Sequence, residues 1–77
     1  MSFTIFYKEG CPFCERAENH FNAFNLNYNK YVLNQDFSPA EFKYTFGEGA
    51  TYPQVFYKKH HIGGSDDTIH FINNKYN

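Results

Sequence analysis

The 77-residue sequence lacks most of what would commit it to a specialised environment. It has only two cysteines, Cys11 and Cys14. Small secreted domains usually depend on several disulfides, and a bridge closing so short a loop would add little stability. The pair is therefore read as reactive rather than structural, and a reducing cytoplasm is the expected compartment. Met1 to Tyr7 has neither a basic segment nor an apolar stretch long enough for a signal peptide. No apolar run approaches the length of a membrane span, so no membrane partner is expected. The seven Lys and Arg are scattered, apart from Lys58-Lys59, and the formal charge is −1 at pH 7. Without a cationic stripe the chain does not read as a nucleic-acid binder. No repeat, linker or low-complexity stretch divides it, so residues 1–77 are expected to form one small domain.

Aromatic residues are what the chain has in quantity. Ten Phe and seven Tyr supply a large buried area per residue, which offsets the small size. Phe3-Thr4-Ile5-Phe6-Tyr7 is β-branched and aromatic, and it reads as a buried strand. Pro12 suits the first turn of a helix, where its missing N–H costs nothing. Phe13, Ala17, Phe21 and Phe24 then recur at helical spacing as an apolar stripe, with charged and polar residues opposite. Asn25 and Asn27 fit a helix exit, and Tyr28 to Leu33 reads as a second strand.

Ser38-Pro39-Ala40-Glu41 has capping-box spacing, with proline at the first helical position. The helix it starts carries Phe42 and Phe46 on one face and is expected to end near Gly47 or Gly49. Gln54 to Tyr57 reads as a third strand, Lys58-Lys59 as a tight turn and His60-His61-Ile62 as a short fourth strand. Gly63-Gly64 is expected to break that strand. Ser65, Asp66 or Asp67 then caps a last helix that turns Ile69, Ile72 and Tyr76 inward.

Strands joined through a helix pair in parallel with a right-handed crossover, whereas the final hairpin adds antiparallel strands. The expectation is an α/β domain of order β-α-β-α-β-β-α, with a mixed four-stranded sheet covered by three helices. Cys-x-x-Cys directly after the first strand points to a thioredoxin-like fold. Both thiols reach the same helical turn, so they can open and close a disulfide. A thiol at a helix start also meets unpaired backbone N–H groups and the positive end of the helix dipole, which favour its thiolate.

Over nearly its full length the chain resembles the glutaredoxins, and three separated signatures carry the resemblance. Lys8-Glu9-Gly10-Cys11-Pro12-Phe13-Cys14 is similar to the dithiol active site, with Phe13 where Tyr is common. Thr51-Tyr52-Pro53-Gln54-Val55-Phe56 is similar to the family's Thr-x-Pro segment, whose proline is cis. His61-Ile62-Gly63-Gly64-Ser65-Asp66-Asp67 resembles its glutathione-binding turn and helix start. The resemblance implies a glutathione-dependent thiol–disulfide oxidoreductase that acts on protein disulfides and protein–glutathione mixed disulfides. Cys11 would be the nucleophile and Cys14 the resolving thiol. Glutathione would bind along Lys8, Phe13, Thr51, Tyr52, Pro53, Gly64, Ser65, Asp66 and Asp67. In that arrangement the Tyr52 backbone pairs with the cysteinyl unit as a strand would. The Ser65 and Asp66 amides meet the γ-glutamyl carboxylate, and an Asp66 or Asp67 carboxylate faces the ammonium.

The resemblance further implies a monomer with glutathione as cosubstrate and no metal. Ribonucleotide reductase is a common client of small dithiol members, although no residue here specifies it. One departure concerns charge. Positions where members often carry Arg, Lys or Gln hold Ala40 and Ala50, which leaves Lys8, with Lys43, to meet the glycine carboxylate. Partly exposed ion pairs contribute only ~1 kcal/mol each, so the expectation is weaker glutathione binding rather than none.

Three rival readings are weaker. Adjacent His60 and His61 on a strand point to opposite faces, and they lack the histidine spacing of a zinc module. A glutathione-ligated iron–sulfur cluster is more typical of members without a proline between the cysteines. A glutaredoxin-like hydrogen donor reduced by thioredoxin reductase would end in an aromatic-Arg-Pro motif, and nothing similar follows Gly63-Gly64.

Overall fold

The computed structural model describes residues 3–76. Seven elements follow one another: β1 (Phe3–Tyr7), α1 (Pro12–Ala23), β2 (Tyr28–Val32), α2 (Pro39–Phe46), β3 (Gln54–Tyr57), β4 (His60–Gly63) and α3 (Ser65–Tyr76). The sheet order is β2-β1-β3-β4, with β1 parallel to β2 and antiparallel to β3, and β4 antiparallel to β3. The mixed four-stranded sheet with three helices is thus present in the expected order. β1 lies inside the sheet and delivers its C-terminal end to the cysteine turn.

Alternation along β1 separates two apolar layers. Phe3, Ile5 and Tyr7 are buried on the face covered by α1 and α3, with Ala17, Phe21, Val55 and Ile72. Phe6 faces the other way, among the rings of Phe37, Phe46 and Phe56 under α2. A period-two strand with aromatic residues on both faces can support a layer on each side, so a short chain obtains two cores.

Local signals set the helix ends. Ser38 and Glu41 form the full capping box, with Ser38 N–H donating to Glu41 Oε1 at 2.8 Å and Glu41 N–H to Ser38 Oγ at 3.1 Å. Beyond α1 the chain turns through Asn25 at φ 56°, a left-handed conformation that asparagine tolerates. The Lys58-Lys59 turn places Lys58 at φ 54°.

Four expectations need correction. The buried line of α1 runs through Cys14, Ala17 and Phe21, while Phe13 is 56% exposed. β2 stops at Val32, and Leu33 instead makes an isolated bridge with Phe37. β4 continues through Gly63 rather than breaking there. On α3 the fully buried side chains are Thr68 and Ile72, and Tyr76 stays 40% exposed. Each error is one of helical phase or of a boundary, which neighbouring elements decide.

A polar cluster ties α1 to β2. Glu18 accepts from Tyr28 Oη at 2.7 Å and from Lys30 Nζ at 3.0 Å. Burial pushes the Glu18 carboxyl up, but hydrogen bonds from Tyr28 and Lys30 outweigh it, and the group ends below its ordinary 4.5. The Tyr28 phenol is pushed up to about 12, by burial first and then by Glu18. A carboxyl whose folded pKa is depressed stabilises the fold fully above its unfolded value and ceases to do so as pH falls through the folded one. Glu18→Gln is therefore expected to lower Tm at pH 7, with the gap to the parent closing below about pH 4. A gap of unchanged size at about pH 3 would contradict this role.

Candidate active site

Cys11 is the N-cap of α1, with extended backbone (φ −101°, ψ 110°), and Pro12 opens the helix behind it. Its sulfur accepts from the Cys14 N–H at 3.3 Å, one of the donors that the first helical turn leaves unpaired. The Cys11 thiol in turn donates to the Tyr52 carbonyl oxygen at 3.8 Å. Cys11 is half-buried and Cys14 fully buried, and both are free thiols. Burial is the main reason that the Cys14 thiol is pushed up to about 12, and its hydrogen bond and charge interaction with Cys11 add to the rise. The two sulfurs therefore differ in kind. One sits at the surface against a helix start, and the other is held protonated behind it.

The segment facing Cys11 is fixed from two sides. The Tyr52-Pro53 peptide is cis, and Pro53 is buried. The Tyr52 ring stacks on Phe42 of α2 at 4.0 Å between centroids and 12° between planes. With the ring held there, the Tyr52 backbone carbonyl is left at the cysteine. Lys8 Nζ lies 5.6 Å from the centre of the same ring.

An open cleft of about 400 Å³ lies beside this pair of segments. Phe13 of α1, Thr51 and Tyr52 line one side, and Gly64 to Asp67 the other. Seven of the expected site residues are thus brought together around one cavity. Pro53 is buried and takes no part in its wall, and Lys8 stands outside, by the Tyr52 ring. The exposure of Phe13, which spoils it as a core residue, makes it part of this wall.

The second wall differs from expectation in its hydrogen bonding. Gly64 O accepts from the Thr68 N–H at 3.0 Å and from the Thr68 hydroxyl at 2.7 Å, closing the first turn of α3. Ser65 does not cap, because its hydroxyl is buried without a hydrogen-bond partner among the described residues. Asp66 does not cap either, since its carboxylate accepts from Arg16 Nη1 of α1 at 2.9 Å. Asp67 lies over Gly63, which sits at φ +126°, and a Cβ there would come within 2.5 Å of Asp67 Oδ2. Only glycine combines that backbone with that neighbour. Arg16 was not singled out from the sequence, and its partner lies fifty residues away.

A second cleft of about 450 Å³ runs between β4 and α3, along His60, Ile62, His70, Phe71 and Lys75. It shares Asp67 with the first and touches neither cysteine. His60 lies against Phe71 on the α3 side and His61 against Phe56 on the other, so the two histidines do face opposite ways. Among the described residues no group of three or more His, Cys, Asp or Glu is poised to hold a metal ion. No helix there is long and apolar enough to cross a membrane.

Known proteins are similar to this arrangement. The glutaredoxin family model matches residues 3–62. A hybrid peroxiredoxin of Haemophilus influenzae is 39% identical over 66 residues, covering 86% of this chain and 27% of that protein. Glutaredoxin-C8 of Oryza sativa is 39% identical over 71 residues, covering 86% of this chain and 52% of that one. The chain thus spans about a quarter and about half the length of these two relatives. Among solved structures, a buckwheat glutaredoxin–glutathione complex superposes with a TM-score of 0.77 at 26% identity, covering 95% of this chain and 69% of that one.

Proposed function

The chain belongs to the glutaredoxin family of thiol–disulfide oxidoreductases, and from that premise we propose that glutathione is its electron donor and that it reduces protein disulfides and protein–glutathione mixed disulfides. One observation carries the reading: the cleft beside Cys11 ends at a helix start whose Ser65 hydroxyl is buried and unpartnered. Buried hydroxyls are normally paired, and a helix N-terminus offers free N–H groups to an anion. A γ-glutamyl carboxylate supplies what that end lacks. The Tyr52 backbone at the other end supports an extended cysteinyl unit, which would leave its sulfur at Cys11. Asp67 is the carboxylate available to the ligand's ammonium, because Asp66 is paired with Arg16. Ala40 is exposed and Ala50 half-buried, and neither carries a charge for the glycine carboxylate, so Lys8, beside the Tyr52 ring, and Lys43 are the proposed cations and a lower affinity than in members with more is expected.

In the proposed reaction the Cys11 thiolate attacks the sulfur of a client–glutathione mixed disulfide. A Cys11–glutathione bond forms, and the client leaves as thiolate. A second glutathione thiolate attacks the bound glutathionyl sulfur, releasing Cys11 and oxidised glutathione. The Cys14 N–H directed at Cys11 Sγ stabilises negative charge there. It does so most usefully when Cys11 is the leaving group, since a more stable thiolate leaves faster but attacks less strongly. With a protein disulfide, Cys14 gives up its proton and attacks Cys11 Sγ, so that the client departs reduced and a Cys11–Cys14 disulfide remains. Two of the influences raising Cys14, the hydrogen bond to Cys11 and its charge, disappear once Cys11 is bonded to a client. Burial, the largest influence, persists, and the resolving thiol is held up less after the first step than before it.

The two half-reactions separate in one variant. Cys14→Ser is expected to keep deglutathionylation of a peptide within a few-fold of the parent and to lose reduction of a protein disulfide such as insulin. Loss of both activities would reject the roles given to the two thiols. The proposed setting is a reducing compartment such as the cytoplasm.

A further inference from the structure

We propose that Gln54 and His61 act as positioning residues, forming a hydrogen-bonded relay that holds the Thr51–Pro53 segment beside Cys11. Gln54 is the first residue of β3, buried directly after Pro53. Its Nε2 donates to the Thr51 carbonyl at 2.8 Å, bridging back over Tyr52 and Pro53. Its Oε1 lies 2.7 Å from His61 Nε2. A carbonyl can only accept, so the Gln54 NH₂ must face Thr51 and the amide oxygen must face His61. That oxygen also only accepts, so His61 carries its proton on Nε2. The direction of the whole relay follows, from His61 to Gln54 to Thr51.

Its outer end is held by packing. His61 pairs with Phe56 across the β3–β4 hairpin, and its ring stacks on Phe56 at 4.8 Å and 24°. Phe46 of α2 stands 5.6 Å from the same ring. The relay therefore runs from the sheet's edge strand to the residue before Tyr52, whose carbonyl oxygen lies 3.8 Å from Cys11 Sγ. Two hydrogen bonds and the Thr51–Tyr52 backbone connect an exposed histidine to the atom against which the nucleophile rests. A buried amide needs partners in any fold. Here the partners are the loop that faces the thiol and a histidine whose side chain, among the described residues, has that amide as its hydrogen-bond partner. Losing the relay would let the segment wander without unfolding the sheet, so it should cost substrate alignment rather than chemistry.

The test rests in one arm on the glutathione reading and in the other does not. His61→Phe keeps the ring on Phe56 and removes the donor, and His61→Gln restores a donor at nearly the Nε2 position. With a glutathionylated peptide and saturating glutathione, His61→Phe is expected to raise KM about five-fold, the weight of one hydrogen bond, with kcat within about two-fold and a fall in Tm of no more than about 8 °C. By NMR, solvent exchange of the Gln54 side-chain amide protons is expected to quicken about five-fold in His61→Phe. Both properties should return in His61→Gln. The proposal is overturned if KM and exchange are unchanged in His61→Phe, if kcat and Tm both fall beyond those ranges as KM rises, or if His61→Gln restores neither. Should the parent itself fail to turn over with glutathione, the glutathione reading fails and the exchange measurement alone decides on the relay.

Discussion

Cys11→Ser is expected to abolish thiol transfer on every substrate, by about 10³-fold or more, while leaving the fold intact. A serine hydroxyl is not ionised near neutrality and is a poor nucleophile toward sulfur, whereas the reactive form of cysteine is its thiolate. The geometry gives no substitute. Cys14 is fully buried with its thiol pushed up to about 12, so it cannot take over the first attack. The smaller oxygen still accepts from the residue-14 N–H as an N-cap, and serine is a better cap than cysteine, so Tm should hold or rise slightly. Circular dichroism together with the deglutathionylation and insulin assays checks this. Residual activity above about one per cent in either assay would place the nucleophile elsewhere.

Phe21→Ala has the largest expected effect on the fold. Phe21 is fully buried on α1, 5.1 Å from the Phe3 ring of β1 and 4.8 Å from the Tyr28 ring of β2. It is the largest buried side chain of the helix that carries Cys14 and is capped by Cys11. Removing such a ring costs about 3–5 kcal/mol, including the cavity left behind. A domain of this length has roughly 4–12 kcal/mol to lose. The urea midpoint should therefore fall by about 3–5 M, at about 1 kcal/mol per M for a small protein, a large share of the total. A midpoint within about 0.5 M of the parent would mean that α1 is held to the sheet by something other than this ring. Because Cys11 is positioned by the start of α1, activity should fall with the folded fraction.

Much of this architecture was legible because its signals are local. The capping box at Ser38 and Glu41, the aromatic strand Phe3–Tyr7, and Pro12 after Cys11 each act within one turn or one strand, and all three are present. The line buried on α1 was harder. Phe13 and Cys14 are adjacent on the helical surface, and spacing alone does not say which one faces the sheet and α3. Packing puts Cys14 inside and leaves Phe13 to the cleft. The start of α3 lies where the sequence puts it, but its capping does not, for a similar reason. Ser65 and Asp66 have capping chemistry, but Arg16, far away in sequence, takes the Asp66 carboxylate, and the fold buries the Ser65 hydroxyl. The contact of His61 with Gln54 depends on hairpin register, which the residues of the turn do not state. The cysteine motif, the Thr-x-Pro segment and the Gly63–Asp67 turn were each visible separately. What the structure adds is that the last two line one cleft with Phe13, at whose edge Cys11 stands.

Glutathione dependence is tested most directly by a coupled turnover assay. The reduced protein is supplied with a glutathionylated peptide and NADPH, in one arm with glutathione and glutathione reductase, and in the other with thioredoxin reductase alone. The expected result is sustained NADPH oxidation in the first arm, saturating with glutathione, and none above background in the second. Turnover only with thioredoxin reductase would contradict the reading of the cleft as a glutathione site.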